Sequence, residues 1–174
     1  MRMPMEEIEV RLMNHLQVDE VAEVASLSFS GMKDPEKSWR WISCNFNAFP
    51  RCQYFVAESR KSGRVYGYVF WMEKGGFREE AVWELEQIAV HPDYRGFGIG
   101  TRLVKDSLRV IIEQLHKRGS KLKLAEVSTG TANEAQRLYE KTLGAKVVMV
   151  IPDLYRQDEV VMMARGLDER QSGS

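Results

Sequence analysis

Cysteine is scarce in this chain of 174 residues, which contains only Cys44 and Cys52. A disulfide-stabilised secreted domain usually has several cysteines, and a structural zinc site has them at close, regular spacings. Neither cysteine has such a spacing, and no nearby histidine completes a metal site. We therefore expect two free thiols in a reducing cytoplasm and no bound metal.

Neither sign of charge predominates, because 25 lysines and arginines balance 25 aspartates and glutamates. Proteins that bind nucleic acid nonspecifically usually carry a basic excess. The chain also lacks the run of about 18 apolar residues that indicates a transmembrane helix. Met1–Val10 contains acids and no apolar block, unlike a secretory signal. We expect a cytoplasmic protein that binds neither nucleic acid nor membrane.

The size and composition are those of an ordinary globular protein. A length of 174 residues suits one domain, and apolar residues make up 44% of the chain. Only the ends look loose, namely residues 1–6 and the polar tail 169–174. The sequence therefore predicts a single domain over residues 1–168.

The first half predicts a strand and two helices. Ile8–Met13 alternates apolar and polar residues, as a strand does. Val18–Phe29 has its apolar residues at helical spacing. Asp34 and Pro35 suit the start of a second helix. The spacing of the aromatic and aliphatic residues Trp39, Trp41, Ile42, Phe46 and Phe49 predicts that they lie in the core, although a ring could also line a substrate cleft.

Three strand-like runs follow, at Gln53–Glu58, Arg64–Met72 and Ala81–Val90. They are rich in valine and aromatic residues, which favour strands. Ser62-Gly63 and Gly75-Gly76 separate the runs, as hairpin turns would. The middle of the chain thus predicts an antiparallel region.

The second half predicts further helices and strands in alternation. A long amphipathic helix begins near Ile99 and ends at Gly119, and Thr131 with Glu134 forms a capping box for another helix that Gly144 closes. Strands are predicted at Leu122–Ser128, Ala145–Ile151 and Glu159–Ala164.

The resulting order is β-α-α-β-β-β-α-β-α-β-β. Its βαβ unit implies one parallel pairing, whereas the hairpins imply antiparallel ones. The sequence therefore predicts a mixed α/β fold (α+β) with a mostly antiparallel central sheet and helices on both faces.

A glycine-rich turn at Arg95–Thr101 separates a strand from the long helix. It lacks the third glycine of a dinucleotide-binding fingerprint, where Thr101 stands, and the lysine of a nucleoside-triphosphate loop. What remains is Arg-x-x-Gly-x-Gly. Unpaired amides at a helix start point at an anion, and Arg95 could pair with phosphate. The alternative is a plain glycine-rich turn with a surface arginine.

Two motifs carry a family resemblance. Ile88-Ala89-Val90-His91-Pro92-Asp93-Tyr94-Arg95-Gly96-Phe97-Gly98-Ile99-Gly100-Thr101 closely resembles the coenzyme-A-binding motif of the GNAT N-acetyltransferase superfamily. Asn133-Glu134-Ala135-Gln136-Arg137-Leu138-Tyr139-Glu140-Lys141 is similar to a helix of that family. Thr142-Leu143 before Gly144, and Ala145 in place of an aromatic residue, depart from the family pattern.

The resemblance implies acetyl-CoA as cosubstrate, bound between splayed parallel strands at Glu84–Val90 and Leu122–Ser128. Backbone groups of Ile88 and Val90 would pair with the pantetheine arm, and the glycine turn would hold the pyrophosphate. The coenzyme-binding residues implied in this way are Ile88, Ala89, Val90, Arg95, Gly96, Phe97, Gly98, Ile99, Gly100, Thr101, Asn133, Gln136 and Tyr139.

The resemblance also implies catalytic residues. Glu84 and Glu86 lie two apart on a strand and share a face, so either could act as a base. Glu84 is slightly preferred, and the alternative is a pair of solvated acids. Tyr139 matches the general acid that protonates the leaving thiolate, and the alternative is a core tyrosine.

The function implied is transfer of an acetyl group to a primary amine by direct attack in a ternary complex. The acceptor is a small molecule, a peptide N-terminus or a lysine. The alternative is a noncatalytic acyl-CoA-binding sensor or scaffold. Dimerisation is common in similar proteins, and no pattern in this sequence fixes the oligomeric state.

Overall fold

The computed structural model describes residues 7–172. The N-terminal segment 1–6, which the sequence predicts to be loose, lies outside the described residues. The strands are β1 (Ile8–Leu12), β2 (Cys52–Ser59), β3 (Val65–Lys74), β4 (Glu80–Val90), β5 (Lys121–Gly130), β6 (Lys146–Ile151) and β7 (Glu159–Ala164). The α-helices are α1 (Val18–Ser28), α2 (Pro35–Phe46), α3 (Ile99–Lys117), α4 (Ala135–Leu143) and α5 (Leu167–Ser172).

The seven strands form a mixed, mostly antiparallel sheet in the order β1-β2-β3-β4-β5-β7-β6. The predicted order of elements is confirmed from β1 to β7, and the predicted fold class is confirmed; helix α5 follows β7 and was not predicted. Turn chemistry explains much of this agreement. The side chain of Asp34 accepts hydrogen bonds from the first amides of α2, Pro35 occupies the first turn, and Gly63 adopts a φ of 72° between β2 and β3.

The described residues divide into two compact units. The first unit extends to Trp71 and also includes Gln87–Ser107. The second contains Met72–Glu86 and the residues from Leu108 onward. Strands β3 and β4 and helix α3 have residues in both units. The prediction of one domain over residues 1–168 stays a prediction.

In the first unit, alternate residues of β3 face opposite sides of the sheet. The indole of Trp71 donates a hydrogen bond of 2.8 Å to the hydroxyl of Ser107 on α3. The hydroxyl of Tyr68 donates instead to Gln87 on β4, whose amide reaches Met32 in the turn before α2. Helical segments therefore cover both faces of this part of the sheet, as predicted.

The prediction that the aromatic residues in and just after α2 lie in the core is wrong for three of them. Trp39, Trp41 and Phe49 are 48%, 44% and 59% exposed. The buried residues of α2 are Ser38 and Ile42, and the Ser38 hydroxyl donates to the Met32 carbonyl at 2.6 Å. A small polar residue with a local backbone partner therefore marks the packed face, which apolar periodicity alone does not reveal.

In the second unit, β4 and β5 pair in parallel, as predicted from the βαβ order. The register runs from Glu80 with Lys121 to Leu85 with Val127, and it ends before either strand does. Strand β7 pairs antiparallel with β5 and with β6. The register places Glu84 directly beside Glu126.

The predicted capping box at Thr131 and Glu134 is wrong. Helix α4 begins at Ala135, and no side chain of its cap residue Glu134 bonds to the helix. The side chain of Asn133 takes this role by accepting a hydrogen bond of 2.9 Å from the Ala135 amide. Asparagine readily forms such local turns, and like threonine it can accept a hydrogen bond from the first amides of a helix.

The predicted loose tail is also wrong where the structure describes it. Residues Leu167–Ser172 form α5, and the last two residues lie outside the described chain. Asp168 anchors this helix, because one carboxylate oxygen contacts the His116 ring and the other accepts from the Leu122 amide. A buried carboxylate with two partners explains why a polar segment is ordered here.

Cys44 and Cys52 are free thiols, the first exposed and the second buried. No helix within residues 7–172 is long and apolar enough to cross a membrane. The same residues contain no cluster of three histidine, cysteine or acidic side chains arranged to hold a metal ion.

Gly67 provides a test of close packing between β3 and β4. A Cβ at this position would lie 2.7 Å from the Ala89 carbonyl oxygen and 3.3 Å from a methyl carbon of Leu103. Because the nearest obstacle is backbone, we expect Gly67→Ala to lower the free energy of unfolding by about 2 kcal/mol. Urea unfolding measures this value.

Gly31→Ala is the matched control, since a Cβ there meets no atom within 4 Å. Its free energy of unfolding should stay within about 0.5 kcal/mol of the wild-type value. Equal stability of the two variants would contradict the proposed close approach.

Candidate functional site

The glycine turn of the first unit has a left-handed backbone at two positions. After β4 ends, a short 3₁₀ turn at Pro92–Tyr94 leads to Gly96 with a φ of 81° and Gly98 with a φ of 80°. Such conformations favour glycine, because a Cβ would crowd the backbone. Peptide N–H groups in turns of this kind can converge on an anion.

Helix α3 begins directly after this turn. Its first backbone hydrogen bond runs from the Arg102 amide to the Gly98 carbonyl at 3.2 Å. The amides of Ile99, Gly100 and Thr101 therefore precede the first intrahelical donor. The buried side chain of Ile99 holds the helix start in place. The predicted phosphate-binding residues thus lie in one turn, where the helix dipole favours negative charge.

Arg95 makes contacts that the sequence does not reveal. Its Nε donates a hydrogen bond of 3.0 Å to the Val90 carbonyl, and a terminal nitrogen lies 3.3 Å from the Ser28 hydroxyl. The guanidinium group therefore ties the glycine turn to the end of β4 and to α1. The Val90 carbonyl, which the resemblance assigns to the pantetheine arm, already accepts this hydrogen bond.

The other predicted coenzyme-binding residues of β4 lie close together at the end of this strand. Ala89 is buried, whereas Ile88 and Val90 are half-buried. Phe97 is also half-buried within the glycine turn. Backbone atoms of Ala89 and Val90 approach Gly67 closely, which fixes this end of β4 against β3.

The second unit brings the two predicted bases together with two further charged residues. Lys74 of β3 has its Nζ 3.2 Å from an oxygen of Glu84 and 3.2 Å from an oxygen of Glu126. Glu86 interacts with Glu84 from the same strand. One lysine and three carboxylates therefore form a charged cluster, which we call the acid cluster (Lys74, Glu84, Glu86 and Glu126).

Burial and like charge distinguish the members of the acid cluster. Burial raises the pKa of Glu86 above that of an ordinary glutamate, the nearby charge of Glu84 and hydrogen bonding with it raise it further, and Lys74 opposes the shift. Burial lowers the pKa of Lys74, but Glu84 and Glu126 outweigh this effect and raise it overall. Lys74 is thus a cation at neutral pH, and Glu86 is the carboxyl group that most readily holds a proton.

Lys74 and Glu126 are members of the acid cluster that the sequence does not predict. Both lie in segments rich in strand-forming residues, but neither belongs to a recognisable motif. Strand alternation places Glu126 on one face of β5, and only the parallel register shows that this face adjoins Glu84. Charges of opposite sign on adjacent strands indicate such a cluster, but they can be recognised only when the pairing of the strands is known.

Helix α4 carries the three remaining predicted site residues. Tyr139 is 4% exposed, and burial raises the pKa of its hydroxyl to about 12. The side chain of Asn133 caps the helix, as described above. The Gln136 amide donates to the carbonyls of Gly130 and Thr131 at 3.2 and 2.9 Å. Asn133 and Gln136 therefore hold the connection between β5 and α4 in place.

An open cavity of about 650 Å³ in the second unit extends from Lys74 along the β3–β4 turn. Its walls combine cationic and acidic side chains around one valine, so it can hold a polar molecule. The lining residues are Lys74, Gly75, Arg78, Glu79, Glu80, Val82 and Lys123.

Comparisons with known proteins identify relatives of this fold. No curated protein sequence matches the chain significantly. Among solved structures, the ribosomal-protein-S18-alanine N-acetyltransferase from Escherichia coli is 20% identical with a TM-score of 0.67, covering 91% of this chain and 93% of its own. A mutant of the spermidine N-acetyltransferase SpeG from Vibrio cholerae is 15% identical with a TM-score of 0.72, covering 97% and 98%.

The protein yncA from Salmonella typhimurium, solved with its cofactor acetyl-CoA, is also similar. It is 19% identical with a TM-score of 0.64, and the match covers 91% of this chain and 94% of that one. A family model described as acetyltransferase (GNAT) family matches residues 18–145, which is most of the chain. The chain therefore belongs to the GNAT acetyltransferase family.

Proposed function

We propose that this protein transfers the acetyl group of acetyl-CoA to a primary amine by direct attack of the amine on the thioester. The observation that carries this proposal is the half-buried pair Glu84 and Glu86, held beside Lys74 on the strand that leads into the glycine turn. Family membership supports the transferase chemistry, and the acid cluster supports an amine as the acceptor.

The glycine turn is the proposed site for the pyrophosphate of the coenzyme. Left-handed glycines at positions 96 and 98 and the free amides at the start of α3 suit a doubly charged phosphate ester. Acetyl-CoA supplies an activated acyl thioester when it is bound. At this site the protein would hold and orient the coenzyme, and backbone N–H groups would do so without help from a side chain.

The acid cluster is the proposed proton acceptor. A primary alkylammonium group has a pKa near ~10, so it must lose a proton before it can attack a thioester. Glu86 is the better candidate of the two carboxylates, because Glu84 is paired with Lys74 and Glu86 has a raised pKa. A base with a raised pKa takes up a proton more readily than an ordinary glutamate.

Tyr139 is the proposed proton donor to the departing thiolate. Its hydroxyl is protonated at neutral pH, as that of an ordinary tyrosine is, and burial raises its pKa further. A thiol has a pKa near ~8.5, so the donor assists departure without being essential to it. The developing oxyanion would be met by a backbone amide of β4 near Ile88.

The acceptor class is tested with a panel of amines and a readout of CoA release. Relatives of this fold are named for spermidine and for a protein alanine, so the panel should include polyamines, small monoamines and short peptides with free N-termini or lysines. Release of CoA with at least one amine supports the enzyme. Tight binding of acetyl-CoA without turnover over the whole panel would favour a noncatalytic acyl-CoA-binding module.

Gly98→Asp tests the pyrophosphate site. The matched control is Gly98→Asn, because both side chains are similar in size and both tolerate a left-handed backbone. We expect the aspartate to weaken acetyl-CoA binding at least about tenfold more than the asparagine, through repulsion of the phosphates. Calorimetric titration measures both affinities. Equal affinities in two folded variants would remove the proposed phosphate site.

Glu86→Gln tests the proton acceptor. We expect kcat to fall about 100-fold, because the amide cannot take up a proton. In the wild type, activity should rise with pH through the raised pKa of Glu86, since only the ionised carboxylate is a base. Steady-state rates between pH 5 and 9, about two pH units either side of neutrality, measure this rise in activity.

Two variants accompany this test. Glu9→Gln is the control, because Glu9 lies on β1, near Arg60, and is not part of the proposed site. Its kcat should match the wild type. Glu84→Gln shows whether the partner carboxylate is the base instead, and a larger loss of kcat there than in Glu86→Gln would reverse the assignment.

Tyr139→Phe tests the proton donor. We expect kcat to fall about tenfold or more while the KM for acetyl-CoA changes little, because only the hydroxyl is removed. Tyr155→Phe is the control, since Tyr155 is 76% exposed and lies outside the proposed site. Wild-type turnover in Tyr139→Phe would leave this tyrosine with a packing role alone.

A further inference from the structure

Lys74 occupies a position from which it contacts two of the three carboxylates in the acid cluster. The preceding residue, Glu73, is buried and forms an ion pair with Arg118 beyond the end of α3. Because successive strand residues face opposite sides, this pairing fixes the side chain of Lys74 on the other face of β3. There its Nζ is 3.2 Å from oxygens of both Glu84 and Glu126.

Among residues 7–172, no cation forms an ion pair with the third carboxylate, Glu86. When every group of the acid cluster is ionised, three negative charges face one positive charge. Lys74 compensates the two carboxylates that it contacts, so the remaining repulsion acts on Glu86. Both carboxylates lie on β4, two residues apart, and the charge of Glu84 adds to the effect of burial in favouring the protonated form of Glu86.

We propose that Lys74 is a positioning residue that directs the exchangeable proton to Glu86 by keeping Glu84 and Glu126 ionised. This inference rests on the proposed function, in which Glu86 accepts the proton of the amine. It goes further by stating why one of two adjacent carboxylates is the base. It also means that Glu126, on a different strand, helps to determine which carboxylate holds the proton.

Glu84 and Lys74 act on Glu86 directly, whereas Glu126 acts through its contact with Lys74, so that the charged groups come from three adjacent strands. Lys74 lies on β3, Glu84 on β4 and Glu126 on β5. Beyond Glu126, the β7 partner in register is Met163, which carries no charge. Lys123 lines the same cavity as Lys74, but it is paired with Glu80 at 2.8 Å. Lys123 is therefore a matched control for the loss of one lysine charge.

The test compares Lys74→Met with Lys123→Met. In Lys74→Met, the cation that favours the ionised carboxylates is lost, so the acid limb of the rate profile should move to higher pH by about one unit. The same amine is used throughout, so its own ionisation contributes equally to each profile. The KM for acetyl-CoA should stay unchanged. In Lys123→Met, the limb should stay at the wild-type pH.

Two further variants separate a charge effect from a loss of structure. Lys74→Arg keeps the positive charge, and its acid limb should return to within a few tenths of a pH unit of the wild type. Glu126→Gln removes one of the two carboxylates that Lys74 contacts, so Lys74 acts more strongly on the remaining ones. The acid limb of the rate profile should therefore move to lower pH. A merely structural lysine would not produce shifts of opposite sign. These two variants also carry the test if Lys74→Met fails to fold.

Carboxyl ¹³C NMR titration of the coenzyme-free protein gives a readout that does not depend on turnover. The Glu86 and Glu84 signals, assigned from their loss in Glu86→Gln and Glu84→Gln, should both titrate at higher pH in Lys74→Met, the Glu84 signal by the larger shift because Lys74 contacts Glu84. The Glu86 signal should titrate at lower pH in Glu126→Gln. If no amine is acetylated, the proposed function fails, and the titration still decides the role of Lys74. Unchanged rate profiles and unchanged Glu86 titration in both variants would overturn this inference alone.

Discussion

The parallel pairing of β4 with β5 fixes the charged groups on which the proposed chemistry depends. Its register sets Glu84 beside Glu126, at a spacing that one lysine from β3 can bridge. A shift of one residue would turn Glu84 to the opposite face and leave Lys74 with a different partner. Strand β4 carries Glu84 and Glu86, and the glycine turn follows its last residue, Val90, along the chain. The backbone hydrogen bonds of one strand pair therefore do more for this site than any single side chain.

Features that depend on local backbone chemistry could be predicted from the sequence, and features that depend on strand register could not. The glycine turn and the start of α3 were recognisable, since left-handed glycines and helix starts leave a pattern in adjacent residues. Lys74 and Glu126 lie 52 positions apart and meet only through the sheet. The misassigned core around α2 has a different cause. The helix packs through Ser38, whose burial follows from its bond to the Met32 carbonyl and not from apolar character.

Several predicted site residues have local structural partners that also bear on function. Arg95 holds the end of β4, whereas Asn133 and Gln136 hold the entry to α4. A side chain that shapes a loop positions the backbone amides around it, and a family motif preserves both effects together. For this reason, a residue in such a motif need not touch the ligand to be required for binding.

An excess of negative charge in a half-buried cluster costs stability, since like charges repel strongly where water is partly excluded. A protein under no other constraint would remove one carboxylate or add a second cation. The acid cluster instead retains three carboxylates around Lys74, with the repulsion concentrated on Glu86. A carboxylate that is destabilised in its ionised form is well suited to accept a proton, because protonation relieves the repulsion. The electrostatic cost in the resting protein and the driving force for deprotonating an amine are therefore two aspects of the same arrangement.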